Sequence, residues 1–335
     1  MCGHQKSSEM ASIFLDNCVD SLSGVTVGDR FLLAAGLSNF TGRWWTGEVS
    51  VLEPTRSGSE KAWTRGSGRL RCGVSGVDWL RNTGGAALVS GGDDGSVDVW
   101  EVVVDDSGDA IEVIHQENSV SHSSIVTSVA SQPCAESETA KFIATSSLDG
   151  TAALWDVGQG GLQWVNSMKR SRAAVSRVRW CAWDNRCFST ASDDGEVRLW
   201  RVGERNPWGR FLVDTPAYDA VWLEENTLVV SDEAGSVRLF DARKPGEFVV
   251  RINLGDDSIR VLALSCKGVL AAGSDSGEVF LVDGIQGNAP AVNSILPSMH
   301  GAYVRGLAWD GPSNLYRGGW DGGVTKLEID GIQSR

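Results

Sequence analysis

Carboxylates beside glycine recur along the chain and could serve as acid or base groups. Asp94, Asp149, Asp194 and Asp321 each stand directly before a glycine. Suitably spaced carboxylates can carry out general acid–base catalysis. The Asp-Gly dipeptide is also a strong turn signal, because the aspartate accepts backbone hydrogen bonds and glycine adopts positive φ without steric cost. The turn interpretation is favoured, and we predict no catalytic residue at these positions.

Histidines and cysteines, which supply many nucleophiles and metal ligands, show no functional spacing. The chain has four histidines and seven cysteines, with no C-x-x-C pair and no two histidines at metal-ligand spacing. The sequence also lacks G-x-x-x-x-G-K-S/T and G-x-S-x-G, the motifs of phosphate loops and of exposed nucleophilic serines. His115 is predicted to be structural. We therefore expect no metal site, no cofactor and no enzymatic activity.

The elements that position these residues follow from a recurring segment, in which a strand leads through a tight turn to a second strand ending in a large apolar residue. The clearest copies are LVSGGDDGSVDVW (88–100), IATSSLDGTAALW (143–155) and FSTASDDGEVRLW (188–200). Copies recur about every 45 residues, which is typical of propeller blades. The turn glycines are Gly47, Gly95, Gly150, Gly195, Gly235, Gly277 and Gly322, and the apolar residues that follow them are Leu52, Trp100, Trp155, Trp200, Phe240, Val282 and Leu327.

This repeat predicts an all-β fold, a β-propeller of seven four-stranded blades. Further apolar strands, ending for example at Trp79 or Trp180, precede the copies and supply the inner strands. Blades stacked around an axis cover one another's faces, which a single blade cannot do alone. We expect residues 11–18 to add the outer strand of the last blade and to close the ring. The predicted organisation is a flexible tail (1–10), the propeller (11–330) and a C-terminal tail (331–335).

Across roughly residues 12–330 the chain resembles the WD-repeat family. In that family a turn aspartate, a histidine before the inner strand, a strand serine or threonine and a tryptophan form a hydrogen-bonded set within a blade. Blade three matches best. By resemblance, the structural repeat residues are His122, Asp149 and Trp155 in blade three, Asp94 and Trp100 in blade two, Asp194 and Trp200 in blade four, and His300 and Asp321 in blade seven.

The charge and the absence of targeting signals bear on partners and location. The formal net charge is −13, from 30 basic and 43 acidic residues, and it favours basic proteins over nucleic acid as partners. A basic stretch, 169–179, is interpreted as a solvated rim loop rather than a nucleic-acid site. The N-terminus lacks a secretory signal and no apolar run is long enough to cross a bilayer. We expect a cytoplasmic and nuclear protein without membrane contact.

Blade one carries an insertion where the other blades make a tight turn. The segment SNFTGRWWTG (38–47) contains Phe40, Arg43, Trp44 and Trp45. Tryptophan and arginine on a projecting loop have the composition of an interface hot spot. One tryptophan could instead fold back into the core, and the sequence leaves this open. We predict these four residues as the partner-binding site.

The longer segment around this insertion, LLAAGLSNFTGRWWTGEVSVLEP (32–54), is similar to the first blade of the methylosome WD-repeat subunits. That resemblance implies a non-catalytic scaffold that binds a type II, symmetrically dimethylating protein arginine methyltransferase, with Arg43 and Trp45 touching the enzyme. It also implies basic substrates such as histones or spliceosomal Sm proteins. The alternative is a generic WD-repeat adaptor, such as a ubiquitin-ligase substrate receptor or a subunit of a trafficking or chromatin complex.

Overall fold

A computed structural model describes residues 11–41, 44–54, 63–82, 85–105, 110–133, 140–158, 161–244, 246–285, 290–296 and 303–329. Within these residues the secondary structure is entirely β, and no helix that could span a membrane occurs. The tails predicted at 1–10 and 331–335 lie outside the described residues.

The strands follow one another along the chain, separated by turns and connections. They are β1 (Ser12–Phe14), β2 (Cys18–Val27), β3 (Arg30–Thr41), β4 (Trp44–Glu53), β5 (Thr64–Leu70), β6 (Val74–Asn82), β7 (Gly85–Gly92), β8 (Ser96–Val104), β9 (Ile111–Val120), β10 (Val126–Ser131), β11 (Phe142–Ser147), β12 (Ala152–Asp156), β13 (Gln163–Ser167), β14 (Val175–Trp180), β15 (Cys187–Ser192), β16 (Glu196–Arg201), β17 (Gly209–Leu212), β18 (Ala217–Glu224), β19 (Thr227–Asp232), β20 (Ser236–Asp241), β21 (Phe248–Asn253), β22 (Ile259–Leu264), β23 (Leu270–Ser274), β24 (Val279–Asp283), β25 (Ala291–Leu296), β26 (Val304–Asp310), β27 (Asn314–Gly319) and β28 (Gly323–Glu328).

These strands form seven antiparallel four-stranded sheets, and each sheet is one blade. Six blades use four consecutive strands, beginning with β2–β5 and ending with β22–β25. The seventh combines β26, β27 and β28 with β1, where Ser12 pairs with Thr325 and Phe14 with Gly323. The ring therefore closes by joining the two ends of the chain. The predicted seven-bladed all-β propeller and its N-terminal closing strand are confirmed.

The core consists of layers between neighbouring blades. The apolar residue that ends each copy of the repeat lies in the third strand of its blade and is at most 3% exposed in every blade. Trp155, for example, packs in a cluster that joins blade two to blade three. Burying such a side chain contributes about 1.5–3 kcal/mol. Each blade thus depends on its neighbours for most of its burial.

Tryptophans in or at the end of inner strands also connect neighbouring blades by hydrogen bonds. The indole Nε1–H of Trp79 donates to the Ser23 carbonyl at 2.9 Å, and that of Trp180 donates to the Ala130 carbonyl at 2.9 Å. In both cases the acceptor belongs to the inner strand of the preceding blade. Because a buried indole N–H needs a partner, these residues hold adjacent inner strands in register as well as filling space.

Blade one differs from the sequence-based prediction. Gly47 lies inside β4 opposite Ser38, and β3 and β4 remain paired as far as Thr41 and Trp44. The segment 38–47 is therefore an extended β-hairpin, and the prediction of a turn at Gly47 is wrong. A Cβ at Gly47 would stand 2.3 Å from the Cys72 carbonyl oxygen, so glycine is required there by the close approach of the connection to blade two.

Two arginines of the basic stretch lie inside the ring rather than on its rim. Arg179 donates to both carboxylate oxygens of Asp219, at 3.0 and 2.8 Å, and Arg177 is 3.7 Å from the same carboxylate. Burial by itself would raise the pKa of Asp219, but the two guanidinium groups outweigh it and hold the pKa below its usual value. The rim interpretation holds for Lys169, Arg170 and Arg172, which are exposed, and is wrong for Arg177 and Arg179, which are partly buried against Asp219.

Candidate protein-binding face

Blade three contains a continuous hydrogen-bonded set that fixes its turn to its strands. The indole Nε1–H of Trp155 donates to Thr145 Oγ1 at 2.9 Å, and His122 Nε2 lies 2.8 Å from the same oxygen. On its other side, His122 Nδ1 lies 3.1 Å from Thr151 Oγ1 and 3.4 Å from the Asp149 carboxylate. Thr145 is the member of this set that the sequence prediction did not name by number.

The protonation state of His122 follows from its burial. Burial lowers the pKa of His122, and the neighbouring Asp149 carboxylate offsets only part of that effect. A neutral imidazole has one donor and one acceptor nitrogen, which matches the two hydroxyls on either side of the ring. The Asp149 carboxylate also accepts from the Thr151 amide at 2.8 Å and the Ser123 amide at 2.9 Å. The aspartate therefore organises the turn and is already engaged by hydrogen bonds.

Blades two and four contain part of the same arrangement. Trp100 donates to Ser90 Oγ at 2.8 Å, and Trp200 donates to Thr190 Oγ1 at 2.9 Å. Asp94 and Asp194 each accept from the amide two residues later at 3.0 Å. The tryptophan and the turn aspartate of these blades are therefore placed as predicted, without the histidine that joins them in blade three.

The other histidine and aspartate positions are placed as follows. His115 Nε2 is 2.8 Å from the Asp98 carboxylate, and its ring packs edge-on against Trp100. In blade seven Asp321 accepts from the Gly323 amide at 3.0 Å, and His300 lies outside the described residues. Blade five places a buried aspartate, Asp232, at the end of β19, where it accepts from Ser236. Spacing alone indicated that blade, and no sequence signal singled out Asp232.

One face of the propeller carries the connections between blades and the turns between second and third strands; we name it the connection face. Near this face, the inner strand of every blade contains a β-bulge, which re-aims one side chain. The bulged positions, each bracketed by a shift in strand register, are Asp20, Ser75, Thr127, Ser176, Tyr218, Arg260 and Arg305.

The bulged residues of blades six and seven belong to a network of aromatic and charged groups. Arg305 lies over the rings of Tyr303 and Trp320, at 4.9 and 5.0 Å from their centroids, and pairs with Asp275 at 2.6 Å. Arg260 pairs with the same carboxylate at 2.9 Å. Trp320 and Tyr303 remain 46% and 43% exposed. Arginine fixed against half-exposed aromatic rings is typical of protein-binding surfaces.

The network continues across the junction between blades seven and one. Trp320 Nε1–H donates to Asp20 at 2.7 Å, and Ser38 Oγ–H donates to the other oxygen of that carboxylate. Burial raises the pKa of Asp20 to about 6 despite these two hydrogen bonds. Asp20 thus joins the closing junction to the base of the blade-one hairpin, because Ser38 is paired with Gly47 there.

The blade-one hairpin is an extension of the turn between second and third strands, and it therefore belongs to the connection face. In its backbone register Phe40 is opposite Trp45, and Thr41 is opposite Trp44. Arg43 lies outside the described residues. Of the four residues predicted to bind a partner, the structure thus places Phe40, Trp44 and Trp45 by their backbones in one paired segment.

The described residues contain no group of three or more histidine, cysteine or acidic side chains able to hold a metal ion. The five cysteines described are free thiols. Burial raises the pKa of Cys72 to about 12 and that of Cys187 to about 11, so these two thiols stay protonated near neutral pH. Neither is set up as a nucleophile.

Comparison with known proteins agrees with this geometry. Residues 116–156 match the family model described as WD domain, G-beta repeat. This segment runs from β9 through β12 and contains the complete hydrogen-bonded set of blade three. No curated protein sequence matches the chain. With seven four-stranded sheets around one axis, the chain is a β-propeller of seven blades, and its third blade matches the WD repeat.

Proposed function

We propose that this protein is a non-catalytic adaptor of a protein arginine methyltransferase complex, and that it binds the enzyme through the blade-one hairpin. A WD-repeat propeller is a scaffold for protein interactions, which is the coarser statement that the fold supports. The finer proposal rests on the resemblance of residues 32–54 to the first blade of the methylosome protein 50 family, and above all on the hairpin motif with Arg43 and Trp45.

Two features of the connection face support docking there. The hairpin lengthens blade one beyond the turns of the other blades, and its base lies beside the network that contains Trp320 and Arg305. A partner seated on the hairpin would therefore also meet half-exposed aromatic rings. Interfaces gain most of their affinity from a few such anchors.

The absence of a catalytic role is part of the proposal. The aspartates of the repeats are used in turns, His122 is enclosed between two hydroxyls, and Cys72 and Cys187 have raised pKa values. The formal net charge of −13 favours the recruitment of basic substrates such as histones or Sm proteins. In this proposal the chain supplies binding and the methyltransferase supplies chemistry, in the cytoplasm and the nucleus.

Calorimetric titration of the purified chain with a type II arginine methyltransferase tests the proposal. We expect one class of binding site, and Trp45→Ala should weaken binding by about 30-fold or more, since loss of a hot-spot anchor costs about 2 kcal/mol or more. Trp164→Ala is the matched control, because Trp164 is 52% exposed on the outer strand of blade three. Absence of binding, or equal effects of the two variants, contradicts the proposal.

The generic adaptor remains the second candidate. A ubiquitin-ligase receptor or a trafficking or chromatin subunit would use the same connection face with another partner. Affinity capture of the full chain from native extract distinguishes the two. Recovery of an arginine methyltransferase, lost with Trp45→Ala and kept with Trp164→Ala, supports the methylosome assignment. Recovery of a ligase scaffold instead supports the generic adaptor.

A further inference from the structure

A cavity opens on the face opposite the connection face, at the junction of blades seven and one. Its volume is about 330 Å³, at the lower end of the range for small-ligand sites. Thr26, Asp29 and Phe31 line it from the hairpin between β2 and β3, and Glu53 and Pro54 line it from the end of β4. Blade seven supplies Asp310, Asn314, Tyr316 and Lys326.

Part of the cavity wall is aromatic. The rings of Phe31 and Tyr316 stack with centroids 5.3 Å apart and an interplanar angle of 19°, and Trp63 packs edge-on against Tyr316 at 6.0 Å. Phe31 lies against the backbone of β2, where a Cβ at Gly24 would stand 2.6 Å from its ring. Phe31 is only partly buried. The exposed part of its ring therefore offers a cationic group an aromatic contact that the fold holds in place.

The charged groups of the lining are predominantly acidic. Asp29, Glu53 and Asp310 contribute carboxylates, and Lys326 contributes the one cation among the lining residues described. The ammonium group of Lys326 is held by Glu328, at 3.0 Å. Arg30, outside the lining, pairs with Glu53. With Glu328 and Arg30 included, four acidic groups stand against two basic ones here, and this excess favours a cationic ligand and disfavours phosphate or carboxylate ligands.

The hydroxyl of Tyr316 is the most informative group of the cavity. Tyr316 is 1% exposed, it lines the cavity, and its hydroxyl has no hydrogen-bond partner among the residues that the structure describes. Burial, with Asp310 and Glu328 nearby, raises the pKa of the phenol, so it stays neutral. Because Tyr316 lines the cavity, its oxygen can accept a hydrogen bond from a ligand N–H.

We propose that this cavity binds the guanidinium group of an arginine side chain from a basic protein segment. A guanidinium group is planar and can lie against the exposed part of the Phe31 ring, and its five N–H donors suit several carboxylates and the Tyr316 hydroxyl together. An ammonium group offers neither the plane nor the number of donors. That the arginine comes from a protein rests on the proposed function, whereas the chemistry of recognition rests on the cavity alone.

The position of the cavity is compatible with the adaptor function. The blade-one hairpin leaves the connection face, and the cavity opens on the opposite face at the far ends of β3 and β4. An enzyme docked on the hairpin therefore leaves the cavity accessible, and the two partners do not compete for one surface.

Calorimetry with the full chain tests the proposal, using the capped tripeptide Gly-Arg-Gly, its lysine and citrulline analogues, and free arginine. We expect the arginine peptide to bind at one site, at least tenfold tighter than the lysine analogue, and the citrulline analogue to show no binding. Tighter binding of the peptide than of free arginine supports a protein source. Absence of arginine-peptide binding, equal binding of citrulline, or equal binding of free arginine overturns the proposal.

Variants locate the site. Asp310→Asn should weaken arginine binding at least tenfold without changing the unfolding temperature, because the amide keeps the shape of the carboxyl group and removes only its charge. Asp283→Asn is the matched control, since Asp283 ends β24 on the same face and is exposed. Equal effects of the two variants contradict the assignment. Binding of the methyltransferase is measured for the same variants. Arginine binding and methyltransferase binding can each be lost alone, so failure of this proposal is distinguishable from failure of the adaptor function.

Discussion

The hydrogen-bonded set of blade three can be tested by replacing Thr145 with valine. Thr145 Oγ1 is the common partner of Trp155 Nε1 at 2.9 Å and of His122 Nε2 at 2.8 Å. Valine keeps the shape of threonine and removes the hydroxyl, so two buried nitrogens lose their partner. Each costs about 1–3 kcal/mol. We expect Thr145→Val to lower the free energy of unfolding by about 2–6 kcal/mol in urea denaturation at pH 7, the sum of those two costs.

Blade four provides the control for this prediction. Thr190 occupies the equivalent strand position and, among the described residues, its hydroxyl has one such contact, with Trp200 Nε1 at 2.9 Å. Thr190→Val should therefore cost about 1–3 kcal/mol, roughly half the effect of Thr145→Val. Both residues are buried and both changes are isosteric. Equal costs, or a larger cost at Thr190, would refute the reasoning that His122 is tied to its blade through Thr145.

Three further predictions concern the ring as a whole. Asp219→Ala leaves Arg179, whose side chain is 35% exposed, without its carboxylate and should cost about 1–3 kcal/mol in urea unfolding. Asp219→Leu combined with Arg179→Met should restore most of the loss, and similar instability of both would contradict this. The pKa of Asp20 rises from 3.8 to about 6 on folding, so between these values the folded state holds a proton that the unfolded chain has released. The free energy of unfolding should therefore fall as pH rises through this window, by at most about 3 kcal/mol. Asp20→Asn should lack this fall when unfolding is followed from about pH 4 to about pH 6.5. Deleting residues 1–14 removes β1 and exposes the edge of β28. The shortened chain should have a lower unfolding temperature and form oligomers in size-exclusion chromatography. A monomer of wild-type stability would show that closure by β1 is not required.

The blades were predictable because each repeats the same local chemistry. Gly95, for example, combines a φ of 86° with a preceding aspartate that accepts the amide of Ser96, and such a turn is determined by adjacent residues. Outer strands such as IEVIHQ (111–116) and LQWVNSM (162–168) contain enough apolar residues to indicate a strand from the sequence. The outer strand of blade one, TRGSGRL, has little of that apolar pattern, so the sequence does not predict it.

The errors arose where the decisive contact is distant in sequence. Gly47 looks in the sequence like the turn glycines of the other blades. Glycine is required there, however, because the Cys72 carbonyl of the connection to blade two approaches closely. Arg177 and Arg179 resemble a solvated basic stretch because their partner, Asp219, stands in the following blade. The cavity beside Phe31 and Tyr316 joins the first blade to the last. No local pattern brings those residues together before the ring closes.

The central claim, that the blade-one hairpin is the docking element of an adaptor, is tested most directly by hydrogen–deuterium exchange of the full chain with and without a type II arginine methyltransferase. We expect slowed exchange in the hairpin at 38–47 and in neighbouring parts of the connection face, with the cavity face unchanged. Slowed exchange only in the outer strands or on the opposite face, or no change anywhere at saturating enzyme, would contradict it.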